Sequence, residues 1–448
     1  MLYSIKKVHL IGIGGIGMSG IAELLKNKEF VVSGSDIADS PNVQRLIDLG
    51  INVSIGHNKE NISDAELVIY SDAIPKDNAE LIEALAKNII VYSRARMISE
   101  IAKLNNSTVA IAGTHGKTTT TSMVGTILKS MNLDPTIIVG GVVKSLESNS
   151  VLGGGDTFVV EADEYNKSLL HLSPTIAVIN NIDFEHIECY NDIDDLKDTF
   201  LQFANSVPFY GTVCACKDSN NVASILSKID KPIITYGIES QNVDIKAENL
   251  HQENGTISFD VKVKDQIFSV NLSVPGKYNA YNALAALSVC ETMGIDLESA
   301  CKALSNFSGV KRRFDIKANK DIMIIDDYAH HPVEVQNVIE TVKSNWNKNL
   351  NVIFQPHLFS RTKEFYKDFA KALMIADNVM ITEIFGSREK EDNSTTSDLI
   401  INEMLKLNHK NVSYVSSKDI VEEVKSRGVK GDIFLTMGAG NIWRYAEE

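Results

Sequence analysis

The sequence predicts an α/β protein of three domains, each built on a largely parallel sheet. Strands and helices alternate along the chain, and this alternation starts three times, near residues 8, 107 and 321. The length of 448 residues is enough for about two to four domains. We therefore predict domains at residues 1–104, 105–310 and 311–448.

Apolar runs give the strands, and amphipathic stretches give the helices between them. In the first domain we predict strands at Val8–Ile11, Phe30–Ser33, Leu67–Tyr70 and Ile89–Tyr92, with helices at Gly17–Lys26 and Asn78–Lys87. In the second we predict strands at Thr108–Ala112, Thr157–Glu161 and Thr175–Asn180, short β-like pieces over residues 208–275 and a helix at Ala280–Met293. In the third we predict strands at Asp321–Asp326, Asn351–Phe354, Asn378–Thr382 and Asp432–Met437.

Charge and composition argue against several classes of protein. The net charge of −14 disfavours general binding to nucleic acid or to acidic membranes. No apolar run approaches the roughly 20 residues of a membrane span, and glycines interrupt the N-terminal apolar run that a secretion signal would need. The five cysteines include no CxxC pair, so we expect reduced thiols in a cytoplasmic protein.

A glycine-rich turn at Gly12–Gly17, with the sequence GIGGIG, follows the first predicted strand and opens a helix. Glycine lets the backbone approach a pyrophosphate closely, and a helix N-terminus favours its negative charge. Asp36 ends the second strand, where an acid that binds a ribose would lie. Taken alone, this pattern fits a nicotinamide or flavin site, a site for another diphosphate, or a turn needed only for packing.

A second loop, AGTHGKTT at Ala112–Thr119, also joins a strand to a helix. Its backbone N–H groups can cradle phosphates, Lys117 can neutralise a transferring γ-phosphate, and the Thr118 hydroxyl suits Mg²⁺. The strict P-loop spacing requires glycine where Ile111 stands, so this loop is a variant. We predict a central P-loop-type ATPase domain with an extra β segment, between an N-terminal and a C-terminal Rossmann-like domain.

Acidic residues follow two strands of the central domain, as EADE at 161–164 and as NNIDFEH at 180–186. Mg²⁺ usually takes one or two protein ligands together with substrate oxygens, so single ligands on separate strands are expected. Solvated acidic loops explain the same residues equally well, and His186 would be an unusual ligand for Mg²⁺.

Polar residues also follow the strands of the third domain, where open α/β sheets bind ligands. They include KRR at 311–313, DDYAHHP at 326–332 and QPHLFSRT at 355–362. Arg361 suits a clamp on a carboxylate. The basic run fits a solvated surface as well, and the paired histidines lack the further ligands of a structural zinc site.

The motifs GIGGIGMSG, GTHGKTTT, EADE, NNIDFEH, PGKYNAYNALAA, KRRFD, DDYAHHP, QPHLFSRT and MGAGN occur in this order over essentially the whole chain. Together they resemble the Mur ligases, and the first is similar to the alanine-adding branch of that family. The resemblance implies successive domains for a UDP-sugar, ATP and an amino acid. It also implies an ATP-dependent ligase of peptidoglycan precursor synthesis, which joins L-alanine to the lactyl carboxylate of UDP-N-acetylmuramate through an acyl phosphate.

The resemblance assigns roles to individual residues of this chain. The UDP-sugar would be bound by Gly12, Gly14, Gly15, Gly17, Asp36 and Ser71. ATP would be bound by Gly113, Thr114, His115, Gly116, Lys117, Thr118, Thr119, Asn279, Asn282, Arg313 and Asp327. The incoming amino acid would face His330, His357 and Arg361, and Mg²⁺, expected as two ions, would be bound by Thr118, Glu161 and His186. The catalytic residues would be Lys117, His186 and Arg313.

Three motifs depart from the family pattern. Tyr278 stands where histidine is usual, Leu358–Phe359 replaces Arg-Tyr, and Asn441 replaces aspartate. None of them is assigned to phosphate or metal. No lysine after His186 can be matched to the carbamylated lysine of some relatives.

Three other functions remain open from the sequence. A ligase of the same family attaches a recycled tripeptide to the same sugar. An NAD-dependent dehydrogenase would use Gly12–Gly17 and Asp36 but leaves the second loop without a role, and a nucleotide-binding switch would bind ATP without turnover. We expect a monomer or homodimer, and domain closure that keeps water from the acyl phosphate.

Overall fold

The computed structural model describes residues 5–71, 73–144, 148–184, 189–387, 389–392 and 394–448. Over these residues the strands form three sheets, of five, ten and six strands, and helices connect the parallel strands. The predicted three-domain α/β fold is confirmed. The predicted cuts fall between secondary-structure elements, near residues 104 and 310.

The first sheet has the order β3-β2-β1-β4-β5, and all its strand pairs are parallel. Its elements are β1 (Lys7–Ile11), α1 (Ile16–Asn27), β2 (Val31–Asp36), α2 (Pro41–Asp48), β3 (Asn52–Ile55), β4 (Leu67–Tyr70), α3 (Ala79–Ala86), β5 (Ile90–Ser93) and α4 (Arg94–Ala102). Every element predicted for this domain is present, with ends shifted by at most a few residues. Val8, Leu10 and Ile11 are buried, as expected for a strand covered on both faces.

The second sheet has the order β15-β14-β13-β12-β11-β10-β6-β9-β7-β8. Its first elements are β6 (Ser107–Ala112), α5 (Lys117–Ser130), β7 (Thr136–Val143), β8 (Ser148–Val151), β9 (Thr157–Ala162), β10 (Ile176–Ile179) and α6 (Ile193–Asn205). They are followed by β11 (Thr212–Cys216), α7 (Asn220–Ile225), β12 (Ile233–Gly237), β13 (Ile245–Glu253), β14 (Thr256–Val263), β15 (Gln266–Leu272), α8 (Lys277–Thr292) and α9 (Leu297–Leu304). The extra β segment therefore extends the ATPase sheet, and α7 interrupts the β-like pieces predicted there.

The third sheet has the order β16-β17-β21-β18-β19-β20, and only the β16–β17 pair is antiparallel among its described strands. Its elements are β16 (Asp315–Asn319), β17 (Met323–Asp327), α10 (Pro332–Asn345), β18 (Leu350–Phe354), α11 (Phe359–Leu373), β19 (Asn378–Ile381), α12 (Asp398–Lys406), β20 (Val412–Tyr414), α13 (Ile420–Arg427) and β21 (Ile433–Met437). All four strands predicted here are confirmed.

The chain forms two compact units. The first comprises Met1–Glu248, Asp260–Val270 and Tyr281–Asn306, and the second comprises Asn249–Phe259, Asn271–Ala280 and Phe307–Glu448. In the first unit, one cluster of buried apolar residues runs through both the five-stranded and the ten-stranded sheet. Among the described residues, no helix has the length and apolarity that a membrane crossing requires.

A buried carboxylate ties the first sheet together. Glu80, in the first turn of α3, is fully buried and accepts hydrogen bonds from Ser35 Oγ and Asn61 Nδ2, both at 2.5 Å. His9 Nε2 lies 3.6 Å from the same carboxylate. Burial raises the pKa of Glu80, but the contacts with His9, Ser35 and Asn61 outweigh burial and hold this pKa below its ordinary value.

Glu80→Gln keeps the volume of the side chain and removes its charge. Because the fold lowers the pKa of Glu80, the carboxylate stabilises the fold above the ordinary value of 4.5, and this contribution is lost as the pH falls through the lowered value. We expect the local opening free energy of β1 and β2 to fall by about 1–3 kcal/mol at pH 7. Hydrogen-exchange mass spectrometry of peptides from these strands measures the change.

Glu83→Gln is the matched control on the same helix. Glu83 lies 3.1 Å from Lys87 across one helical turn, so its loss should change the opening free energy by less than about 0.5 kcal/mol. Equal protection of β1 and β2 in the two variants would contradict the role of Glu80.

Candidate active site

The turn Gly12–Gly17 is fixed by the end of the neighbouring strand. Gly12 has a φ of +78°, and the backbone N–H groups of Gly12 and Ile13 donate to the Ser35 carbonyl at 2.8 and 3.0 Å. A Cβ on Gly12 would lie 3.3 Å from Ser71 Cβ. The structure thus brings Ser71 against the first glycine of the loop, while its contact with the UDP-sugar stays a prediction.

Asp36 binds the loop itself. Its Oδ2 accepts from the backbone N–H of Gly14 at 2.9 Å, and its Oδ1 accepts from Ala38 N at 3.2 Å. A Cβ on Gly14 would lie 2.7 Å from Val43 Cγ2, so this position needs glycine for close packing. Asp36 therefore positions the turn, while a contact with the nucleoside stays a prediction.

A cation that the sequence analysis did not identify stands at the start of α1. Gly15 is the N-cap of this helix and offers no side-chain cap. A Cβ on Gly17 would lie 3.1 Å from Nη1 of Arg94, the first residue of α4. Arg94 Nη2 also lies 3.6 Å from Asp163, after β9. A pyrophosphate at this helix N-terminus would therefore meet a guanidinium as well as backbone N–H groups.

The second glycine-rich loop, Ala112–Thr119, is held by the residues that follow β10. Asn181 Oδ1 accepts from His115 N at 2.8 Å, and Asn181 Nδ2 donates to the His115 carbonyl at 3.2 Å. The Thr114 hydroxyl donates to the Asp183 carbonyl at 3.1 Å. Gly116, the N-cap of α5, has a φ of +83°, which a side chain rarely adopts. The turn is thus shaped before any ligand arrives.

Asn282 packs against this loop. Its Oδ1 accepts from Thr120 Oγ1 at 3.2 Å, and a Cβ on Gly116 would lie 2.4 Å from the same atom. Asn279 is also buried on α8, where its Nδ2 donates to the Pro275 carbonyl at 2.6 Å. Thr119 is buried in the first turns of α5. The contact of Asn279 and Asn282 with adenine stays a prediction.

Lys117 forms an ion pair that the sequence analysis missed. Its Nζ lies 2.7 and 3.0 Å from the two carboxylate oxygens of Glu164 and donates to the Gly113 carbonyl at 2.7 Å. Glu164 is only 1% exposed. Tyr190 OH donates to the Glu164 carbonyl at 2.5 Å and holds the backbone of this residue. A γ-phosphate must therefore compete with a buried carboxylate for the lysine.

Thr118 and Glu161 lie together as an oxygen-rich pair. The pKa of Glu161 is raised, because desolvation outweighs the opposing effects of the Gly140 N–H, the Lys117 charge and a hydrogen bond with Thr118. The Gly140 N–H donates to Glu161 Oε1 at 2.6 Å. A hydroxyl and a carboxylate are ligands that suit Mg²⁺, so these residues fit the ion that the family implies. His186, the third predicted ligand, lies outside the described residues.

Asp327 organises the turn that carries Arg313 in the second unit. Buried at the end of β17, it accepts from the backbone N–H groups of Phe314 and Ala329, both at 2.7 Å. Arg312 and Phe314, on either side of Arg313, have φ values of +61° and +45°. Burial raises the pKa of Asp327 to about 6, and the charge of Arg313 opposes this shift.

The three residues that are predicted to face the incoming amino acid lie together in the second unit. The rings of His330 and His357 meet edge to face with centroids 5.9 Å apart, and Arg361 Nη1 lies 3.2 Å from His357 Nδ1. Glu334, which the sequence analysis did not identify, lies 3.3 Å from His330 Nδ1 and 3.7 Å from Arg313 Nη1. Glu334 follows His330 by four residues, but His330 precedes the N-cap of α10, and nothing in the local sequence distinguishes the pair from a surface pair.

Sequence profiles of one family cover most of the chain. The profiles are described as Mur ligase family, catalytic domain (residues 7–106), Mur ligase middle domain (111–290), and Mur ligase, glutamate ligase domain (312–440). The chain is 43% identical to the UDP-N-acetylmuramate–L-alanine ligase of Geotalea uraniireducens, over all of this chain and 98% of that protein. It is 42% identical to the enzyme of the same name from Clostridium tetani, over 98% of this chain and 97% of that protein.

Solved structures agree with this assignment. The UDP-N-acetylmuramate–alanine ligase of Thermotoga maritima matches with a TM-score of 0.84 at 30% identity, over 98% of this chain and 97% of that chain. A murein peptide ligase from Psychrobacter arcticus matches with a TM-score of 0.74 at 24% identity over 99% of each chain, which shows the fold alone. From its fold, its loops and its full-length relatives, this chain belongs to the Mur ligase family.

Proposed function

We propose that this chain joins L-alanine to the lactyl carboxylate of UDP-N-acetylmuramate and converts ATP to ADP and phosphate. The full-length identity with ligases that carry this name is the observation that supports the proposal most strongly. We propose a cytoplasmic location, because the reaction would use a sugar nucleotide and ATP.

Each predicted domain takes one substrate in this proposal. Residues 1–104 bind the UDP-sugar through the turn Gly12–Gly17, with Arg94 as an additional cation at the pyrophosphate. Residues 105–310 bind ATP on the loop Gly113–Thr119. Residues 311–448 bind L-alanine through His330, His357 and Arg361, where Arg361 clamps the carboxylate of the amino acid.

The first chemical step brings two anions together. A carboxylate oxygen of the sugar attacks the γ-phosphorus of ATP, the bond to the β-γ bridging oxygen breaks, and an acyl phosphate and ADP result. Lys117 leaves Glu164 and neutralises the transferring phosphoryl group. Thr118, Glu161 and His186 hold Mg²⁺, proposed as two ions, which supplies further positive charge beside the phosphates.

The second step forms the amide. The amine of L-alanine attacks the acyl carbon, and phosphate leaves with the electrons of the C–O bond. Alignment of the amine and electrostatic stabilisation of the tetrahedral intermediate supply most of the acceleration. Arg361 binds the far end of the amino acid and thereby fixes the direction of its amine.

Phosphate release should require ATP, Mg²⁺, UDP-N-acetylmuramate and L-alanine together, because the acyl phosphate forms only on the sugar and turns over only with an amine. A coupled phosphate assay with single omissions measures this requirement. Turnover with a tripeptide equal to that with L-alanine would indicate the recycling ligase of the family. Tight NAD binding without phosphate release would indicate a dehydrogenase.

Glu161→Gln should lower kcat by at least about 10²-fold, because the variant loses a carboxylate that would hold Mg²⁺, and the negative charge of the transferring phosphoryl group is then less well compensated. Binding of UDP-N-acetylmuramate should change little, since its proposed contacts lie on the Gly12–Gly17 turn. Single-turnover kinetics and calorimetry measure the two quantities. Glu298→Gln, at an exposed residue 2.6 Å from Lys302, is the control. Near-normal turnover of Glu161→Gln would refute the metal assignment.

Glu164→Gln should tighten the binding of ATP in EDTA by about 10-fold, or about 1.4 kcal/mol, because the γ-phosphate no longer competes with a carboxylate for Lys117. EDTA removes Mg²⁺, so the measurement by calorimetry is independent of the metal ligands. Asp163→Asn removes a neighbouring charge that pairs with Arg94 and controls for charge alone. Weaker ATP binding by Glu164→Gln, or equal tightening in both variants, would contradict the competition.

A further inference from the structure

The hydrogen bonds of His330 fix which of its ring nitrogens carries the proton. Its Nδ1 lies 3.0 Å from the Tyr328 carbonyl oxygen and 3.3 Å from the Glu334 carboxylate. A carbonyl and a carboxylate only accept hydrogen bonds, so Nδ1 must carry the hydrogen. In the neutral ring, Nε2 of His330 then has the lone pair.

The neighbouring histidine is in the opposite state. His357 Nδ1 lies 3.2 Å from Nη1 of Arg361, and a guanidinium only donates hydrogen bonds. His357 Nδ1 is therefore the acceptor, and its Nε2 carries the hydrogen when the ring is neutral. Arg361 is 8% exposed, and His357 stacks on Phe385 with ring centroids 6.0 Å apart. These contacts hold both the orientation and the tautomer of His357.

Glu334 supports the state of His330 together with the Tyr328 carbonyl. It lies in the first turn of α10, and its Oε2 accepts from the backbone N–H of His330 at 3.1 Å as well as facing the ring. Its Oε1 lies 3.7 Å from Arg313 Nη1, and the side chain is 12% exposed. Among the described residues, the charged groups near His330 include Glu334 and, beyond it, Arg313, with Arg361 behind His357. Glu334 thus contacts both the backbone and the ring of His330, and with the Tyr328 carbonyl it fixes the tautomer.

We propose that Glu334 is a positioning residue that presents Nε2 of His330 as the proton acceptor for the ammonium group of the incoming amino acid. On the other side of the pair, His357 Nε2–H and Arg361 donate to the carboxylate of the same amino acid. This inference rests on the proposed function. It gives the acceptor site a polarity that matches an α-amino acid, with an acceptor for the ammonium and donors for the carboxylate.

The proton balance of the amide-forming step follows from this arrangement. The α-ammonium gives one proton to His330 Nε2, and the lone pair of the resulting amine nitrogen then attacks the acyl carbon. When the C–O bond to phosphate breaks, the second proton of the nitrogen goes to the leaving phosphate. The imidazolium, stabilised by Glu334, returns its proton to solvent after the product has formed.

The tautomers can be observed directly in the unliganded protein. We would label the ten histidines with ¹⁵N, assign two of them with His330→Gln and His357→Gln, and record long-range ¹H–¹⁵N spectra at a pH where the rings are neutral. We expect the hydrogen of His330 on Nδ1 and that of His357 on Nε2. A spectrum with the hydrogen of His330 on Nε2 would overturn the inference, whatever the enzyme catalyses.

Kinetics of Glu334→Gln test the consequence for the reaction. We expect kcat/KM for L-alanine to fall by at least about 10-fold while KM for ATP stays within about twofold, because the proton acceptor is weakened while Arg313 keeps its charge. Glu340→Gln, at an exposed residue of the same helix that accepts from Gln336 at 2.7 Å, is the control and should behave as wild type. Equal losses of kcat/KM for L-alanine and for ATP would show that Glu334 has only a structural role. Failure of the wild-type enzyme to release phosphate with L-alanine would instead refute the proposed function.

Discussion

The two glycine-rich loops, Gly12–Gly17 and Ala112–Thr119, depend on hydrogen bonds from a neighbouring strand of the sheet or from the residues that follow it. A parallel strand that feeds a helix must reverse direction within a few residues, and its freed N–H and C=O groups need partners. At Ala112–Lys117 these partners come from Asn181, whose amide binds both backbone groups of His115. At Gly12 and Ile13 they come from the Ser35 carbonyl. The loops are therefore preorganised by the sheet, and ligand binding does not have to fold them.

The same strand ends collect charged groups, and each charge described there has a partner. Lys117 contacts Glu164, Arg94 contacts Asp163, and Glu334 lies between His330 and Arg313. Removal of charges from water is costly unless they are paired. In the proposed function, substrate phosphates, carboxylates and ammonium groups would replace one partner of each pair, so that binding would exchange partners at sites that are already charged.

Much of the fold could be predicted from the sequence, because buried parallel strands are near-continuous apolar runs. Leu67–Tyr70 was predicted with its observed ends, and the glycine loops were placed correctly between strand and helix. The hairpin of β7 and β8 and the helix α7 were not predicted, since their positions depend on packing against distant parts of the chain. Sheet order cannot be read from local periodicity either, so the union of β13–β15 with the ATPase sheet was missed.

The candidate site was predicted less completely, for a related reason. Motifs identified Lys117, Glu161, Arg361 and the glycines, but they do not say which group lies against which. Glu164 and Glu334 are ordinary acidic residues in the sequence, and only the fold brings them onto Lys117 and His330. Asp36 was expected to face a ribose, and its carboxylate is seen to bind the backbone of Gly14.

The central claim is that ATP activates the carboxylate of the sugar before the amine attacks. UDP-N-acetylmuramate labelled with ¹⁸O in its lactyl carboxylate tests this claim most directly, by mass spectrometry of the phosphate released during synthesis with L-alanine. An acyl phosphate carries one carboxylate oxygen into its phosphoryl group, so the account predicts one ¹⁸O atom in each phosphate formed from fully labelled substrate. Released phosphate without ¹⁸O, alongside normal amide formation, would contradict it.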